Sequence, residues 1–270
     1  APSNNAGNNI FVYYLASQVG TVGHPAAQNL SAGTGTFTGD ITIGASSAPS
    51  LWSSSNNFVI SDTSSDGGMA ILSGTSGNGS VMFSDTTAGA FSDARGLITY
   101  LHASDDMRFM TANTEHMRIN STGAVTKPLQ PAFSVHKNGT DQSNMAIADT
   151  TVTWTHERFD ANADFNLTNN NFVAPVTGKY FLNFMARLEA VDTGAAFYLA
   201  NIVTSNQSYR YIIDPNFSAD LNYFKVQVTV LADMDASDTA HVSFIQNGGT
   251  QQTDIDGDAT ETFFMGHLVA

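Results

Sequence analysis

Eight residues near the end of the chain, Asp254-Ile255-Asp256-Gly257-Asp258-Ala259-Thr260-Glu261, are the stretch whose residue types most suggest inorganic chemistry. Alternate carboxylates around a glycine turn can converge their oxygens on a hard cation such as calcium. Asp254, Asp256, Asp258 and Glu261 are therefore the candidate metal ligands, and calcium the candidate ion. The spacing does not fit a helix-loop-helix calcium loop, and no helical pattern enters it. The alternative reading is a solvated acidic turn, the usual fate of such a charge run.

Catalytic sets are absent from the sequence. There is no G-x-S-x-G elbow, no H-E-x-x-H, no phosphate-cradling G-x-x-x-x-G-K and no dinucleotide fingerprint after a strand. His156-Glu157 lacks a second histidine at the metalloprotease spacing, and the seven histidines are scattered. No pair of carboxylates can be placed together as a glycosidase would need. The reading is a non-enzyme that requires no cofactor. Trp154, Tyr198, Tyr209 and Tyr211 could stack on a sugar, since aromatic rings present flat apolar faces at polar sites. All four also sit in or beside expected strands, where packing is the ordinary role.

Composition narrows the partners. A formal net charge of -14 argues against binding a phosphate backbone, which needs clustered Lys and Arg. The charged fraction is 13%, about half the usual share, so Ser, Thr, Asn and Gly must keep the surface polar. Cysteine is absent, which excludes disulfides and thiolate metal sites. The longest apolar run, Ile10 to Ala16, is much shorter than the ~20 residues of a spanning helix. Neither nucleic acid nor membrane insertion is expected. The first residue is Ala1 rather than Met, which suggests a processed chain or one numbered within a longer product.

Three regions follow from the pattern along the chain. Residues 1–29 hold no Asp, Glu, Lys or Arg, and Ile10-Phe11-Val12-Tyr13-Tyr14-Leu15 is apolar on both faces. This segment reads either as a strand buried in its own domain or, preferably, as a docking segment buried against other chains. Residues 30–126 are Gly-rich with short apolar islands, such as the alternating Thr36 to Gly44. Ser61-Asp62-Thr63 recurs as Ser84-Asp85-Thr86, and Gly68-Met69-Ala70-Ile71-Leu72 recurs loosely as Gly96 to Leu101. These read as imperfect repeats of short strands, a β shaft too poor in large apolar groups to build a core alone. Identical chains would supply the missing partners. The Met-Arg-apolar triplets Met107-Arg108-Phe109 and Met117-Arg118-Ile119 read as a hairpin, with arginines within reach of Asp105, Asp106 or Glu115. Lys127-Pro128 reads as a linker to a domain of residues 127–270.

In that last region, period-two alternation marks half-buried strands. Strands are expected near 132–136, 151–155, 163–167, 179–189, 195–204, 208–213, 222–231, 240–246 and 262–269. The clearest stretch is Phe172-Val173-Ala174-Pro175-Val176-Thr177-Gly178 followed by the alternation of Tyr180, Leu182, Phe184, Ala186 and Leu188. Pro175 and Gly178 read as a turn, with glycine chosen for positive φ. Phe181 and Met185 fall on the opposite, outward face and are the candidate contacts between chains.

The F-x-A-P-x-x-G-x-Y-x-F stretch resembles the signature of the complement-type globular head, a trimeric jelly roll shared with the tumour-necrosis-factor superfamily. Pro131 to Val135 resembles that family's opening strand, Phe224 to Ile245 its late hairpin, and Thr262 to Leu268 its closing F-x-G-x-L strand. The resemblance spans about residues 131–270 and implies an all-β chain: a Gly-rich, short-strand trimeric shaft, then an antiparallel jelly-roll β-sandwich. It also implies that the acidic loop lies near one end of a trimer, where some relatives hold calcium. Separately, Tyr100-Leu101-His102 through Val125 resembles a block found before the terminal domain of bacteriophage tail fibres. Together these imply a structural, host-recognising virion protein: a homotrimer, the distal part of a tail fibre or spike. It would dock other virion proteins through residues 1–29 and a host cell-surface glycan or protein through the head. The alternatives are a capsid-surface fibre or decoration protein and a secreted bacterial adhesin. No stretch singles out the receptor-binding residues.

Overall fold

Runs of alternating apolar and polar residues become strands, because alternate side chains point to opposite faces of a pleated sheet. The computed structural model describes residues 41–44, 58–61, 68–84 and 94–270, and every regular element among them is a strand. They belong to two compact units, Ala1–Ala70 and Ile71–Ala270. In the first, β1 (Ile41–Gly44) pairs in parallel with β2 (Phe58–Ser61). The strand expected over Thr36 to Gly44 is thus present at 41–44, and its earlier half lies outside the described residues, as does the segment 1–29.

The second unit opens with an antiparallel meander: β3 (Asn78–Ser84), β4 (Ala94–Leu101), β5 (Asp106–Thr111), β6 (Thr114–Ile119) and β7 (Val125–Thr126). The Met-Arg hairpin is β5–β6. Ala112 and Asn113 link these strands with φ of 46° and 60°. Two consecutive positive φ values give the twist that a two-residue hairpin needs. Residues 68–72, which loosely repeat Gly96 to Leu101 of β4, form no strand. The likeness of sequence does not extend to a shared hydrogen-bonding partner.

The remainder is a two-sheet sandwich built from β8 (Ala132–His136), β9 (Thr150–Thr151), β10 (His156–Asp160), β11 (Phe165–Asn166), β12 (Asn171–Val173), β13 (Gly178–Val191), β14 (Ala195–Thr204), β15 (Ser208–Ile213), β16 (Leu221–Met234), β17 (Thr239–Gly248), β18 (Asp254–Ile255) and β19 (Phe263–Leu268). One sheet runs β10-β8-β19-β13-β16 with β18 on β13, and the other runs β11-β12-β17-β14-β15 with β9 on β17. The chain crosses between the sheets repeatedly and all pairings in them are antiparallel, which makes the sandwich a jelly roll. The strand expected at 151–155 ends at Thr151, and β10 starts at His156 instead. The charged, exposed sequence of β10 carries no alternation because it is an edge strand.

The core lies between the sheets. Tyr180, Leu182, Phe184, Ala186 and Leu188 of β13 are wholly buried against the inner residues Tyr198, Ala200, Ile202, Val242 and Phe244 of the second sheet. Phe133 stacks on Phe172 at 4.7 Å and meets Phe264 edge-on at 5.1 Å. Gly178 does not serve as a positive-φ turn residue: it begins β13. A Cβ there would meet the Ala270 carbonyl oxygen at 2.5 Å and Leu268 Cδ1 at 2.6 Å. Its role is to let the last residues close over the strand, where Lys179 N–H donates to Ala270 O.

Two substitutions test this core by urea unfolding of the full chain. Phe264→Ala should cost about 3–5 kcal/mol through the cavity it leaves. Gly178→Ala should cost about 1–3 kcal/mol through the clash with Ala270. A neutral Gly178→Ala would contradict the close approach.

Candidate functional site: the outer face of the first sheet

The period that buries one side of β13 presents Phe181, Asn183, Met185, Arg187 and Glu189 on the other. Cross-strand register then sets their neighbours. Phe181 lies between Leu231 and His267, Asn183 between Thr229 and Met265, and Met185 between Gln227 and Phe263. Phe181 and Met185 are half-buried and outward, as the alternation predicts. Asn183, only 4% exposed, accepts from Thr229 Oγ1 at 2.7 Å and Gln227 Nε2 at 2.8 Å. Half of this face is thus apolar, with a polar network at its centre.

Further along β13 the register sets Arg187 beside Lys225, two like charges across the strands. The acidic loop neutralises them. Arg187 Nη2 donates to Asp256 Oδ1 at 2.5 Å and to Glu189 Oε1 at 2.9 Å, and Lys225 pairs with Glu261. The Arg187 guanidinium also lies 5.0 Å from the ring centre of Tyr223.

Of the four candidate ligands, two are therefore engaged by cations of the same chain. The other two accept from backbone. Asp254 Oδ1 accepts from Asn144 N–H at 2.7 Å, and Asp258 Oδ1 accepts from Thr260 N–H and Oγ1, both at 2.7 Å. The Thr260 hydrogen bonds hold the Asp258 carboxyl below the usual range. Asp254, Asp256, Asp258 and Glu261 do not converge within a chain, and no metal-holding group of three occurs among the described residues. They do not fit a single-chain calcium site. Gly257 has a structural role here: a Cβ would strike the Thr140 backbone at 2.4 Å, and Gly257 N–H donates to Asp141 Oδ1 at 2.7 Å.

The aromatic set is dispersed as well. Trp154 and Tyr198 are buried, Trp154 stacked 6.2 Å from Phe264 and Tyr198 hydroxyl 2.8 Å from Thr253 Oγ1. Tyr209 packs on the core, and only Tyr211, on edge strand β15, is exposed. They form no sugar-stacking surface.

Two residues not singled out in the sequence, His136 and Lys137, lie at the end of β8. His136 and His156 are cross-strand neighbours with rings 5.8 Å apart. His136 Nδ1 accepts from Asn138 N–H at 3.1 Å, so the neutral imidazole is the form that fits. Burial, reinforced by Arg158 and His156, holds its pKa below the ordinary histidine value. Lys137, next in sequence, points inward and is almost wholly buried. Its Nζ donates to Thr153 O at 2.9 Å, and burial lowers its pKa to about 8.

Asp256→Asn removes the carboxylate that neutralises Arg187 and should destabilise the chain by about 1–3 kcal/mol in urea unfolding. Stabilisation would mean that carboxylate repulsion dominates the loop. His136 and His241 both have folded pKa values lowered by burial. The unfolded chain then binds more protons than the folded one below the unfolded histidine value of about 6.5. Stability should be full above that pH and fall as acidification proceeds toward the folded values. The double variant His136→Gln, His241→Gln should flatten that part of a melting-temperature profile.

No protein-family model matches this chain, and no curated protein matches it. Among solved structures it is similar to the globular domain of zebrafish complement 1qA protein, with 21% identity, a TM-score of 0.39, and coverage of 52% of this chain and 98% of that one. It is also similar to murine APRIL, with 12% identity, a TM-score of 0.38, and coverage of 52% and 99% respectively. The jelly roll of this chain is defined by its own strand order, β10-β8-β19-β13-β16 against β11-β12-β17-β14-β15.

Proposed function

We propose that this chain is the distal part of a bacteriophage tail fibre or spike, a homotrimeric structural protein whose C-terminal sandwich binds the host cell surface. One observation carries the reading: the Met-Arg-apolar block that resembles tail fibres folds as the regular hairpin β5–β6 and leads into the jelly roll. Trimer formation is supported by the sandwich surface. It carries two different apolar areas, the outer face of the first sheet with Phe181, Met185 and the exposed Tyr223 and Leu231, and the outer face of the second sheet, where Ile212 of edge strand β15 is exposed beside Leu199. A closed ring of copies uses two unlike patches, each meeting the other on the next copy. Three equivalent shallow sites on one head would bind by avidity. Residues 1–29 are assigned to docking on other virion proteins.

In sedimentation equilibrium at micromolar concentration the full chain should have three times the chain mass, and a folded monomer would overturn the trimer. Fluorescently labelled full chain should bind host cells and block adsorption of the phage. If it does neither and antibody labels the capsid shell, the protein is a capsid decoration.

A further inference from the structure

The five-stranded sheet β3–β7 has two chemically unlike faces. Register places Val81, Ile98, Phe109 and Met117 in one row and Phe83, Gly96 and Thr111 in the next, with Ile119 on the same side. No Asp, Glu, Lys or Arg of the five strands projects to that side. The charged residues of β5 and β6 are all opposite: Asp106 and Glu115 form ion pairs with Arg108 and Arg118 at N···O distances of 2.7 to 3.4 Å. Phe83, Ile98 and Val81 are 58%, 39% and 36% exposed. The Phe83 ring packs against Gly96 and, with Ile98, Phe109 and His116, lines an apolar depression of about 300 Å³.

We infer that this face packs against the same face of two further copies of the chain, so that three sheets enclose one apolar axis. The inference rests on the trimer reading above and adds the surface that forms the shaft. A sheet buries its apolar side against a second layer, and a solvated single layer of this kind is not stable. Charge selects the occupant. The chain carries a net charge of -14, so three copies meet at least cost where no acid faces the axis.

The chain has no cysteine, so single cysteines report cleanly. Ile98→Cys places a thiol on the apolar face, and Met82→Cys places one on the opposite face, where Met82 is 48% exposed. In the native full chain, Ile98→Cys should react with maleimide about tenfold more slowly than Met82→Cys. It should also give covalent dimers with a short bismaleimide, and Met82→Cys should not. If the protein sediments as a trimer and both thiols react alike, the inference fails and the trimer stands. A protected Ile98→Cys that does not cross-link in a trimer means that another segment of the same chain covers the face, which also overturns it. A monomer overturns both readings. Val81→Cys, on the same face, replaces Ile98→Cys if that variant does not fold.

Discussion

The desolvated inner side of β13 is the constraint on which the sandwich depends. Five side chains, Tyr180 to Leu188 in steps of two, have no exposed surface. Their backbone is saturated on both edges, by β16 on one side and by β19 and β18 on the other. A shift of one residue in either pairing would carry all five to the outside, so the register is held by burial as much as by hydrogen bonds. Even the polar atom in this column is satisfied: Tyr180 hydroxyl donates to Val176 O at 2.7 Å.

That same register commits the outer face. With the inside of β13 fixed, Arg187 must lie beside Lys225, and an acidic segment is needed nearby. The loop 254–261 is drawn in as β18 pairs with β13, which brings Asp256 to the guanidinium. Two of the four acids that look like a cation site in the sequence, Asp256 and Glu261, are thus the counter-charge of one strand pair. A partly buried ion pair of this kind confers more on loop position than on net stability, because desolvation offsets much of the attraction.

The two β regions of the second unit differ in how they acquire partners. Strands of the sandwich pair across long separations, as β8 does with β19, and a complete core results. Strands β3–β7 pair with their sequence neighbours and form a single layer. Among the described residues of that layer, Leu97 is the one fully buried apolar side chain. Local pairing is simple to form but, among the described residues, leaves the apolar side of this sheet without a second layer of strands.

The sequence by itself determined the period of each long strand and hence which residues of β13 face in and which face out. It also determined the β5–β6 hairpin, because Met, Phe and Ile alternate with Arg around a polar turn, and the all-β class. It did not determine which strands lie side by side. Arg187 and Asp256 are 69 residues apart, and only the tertiary fold joins them. The same holds for Trp154, whose ring is buried because β13 and β19 present Phe184 and Phe264 to it. Gly178 was legible as special but not for its reason: the close neighbour is Ala270, at the other end of the domain. Edge strand β10 left no trace in the pattern, since a strand with no buried face has no period. Local residue order encodes periodicity; partner choice is a global property of the packed core.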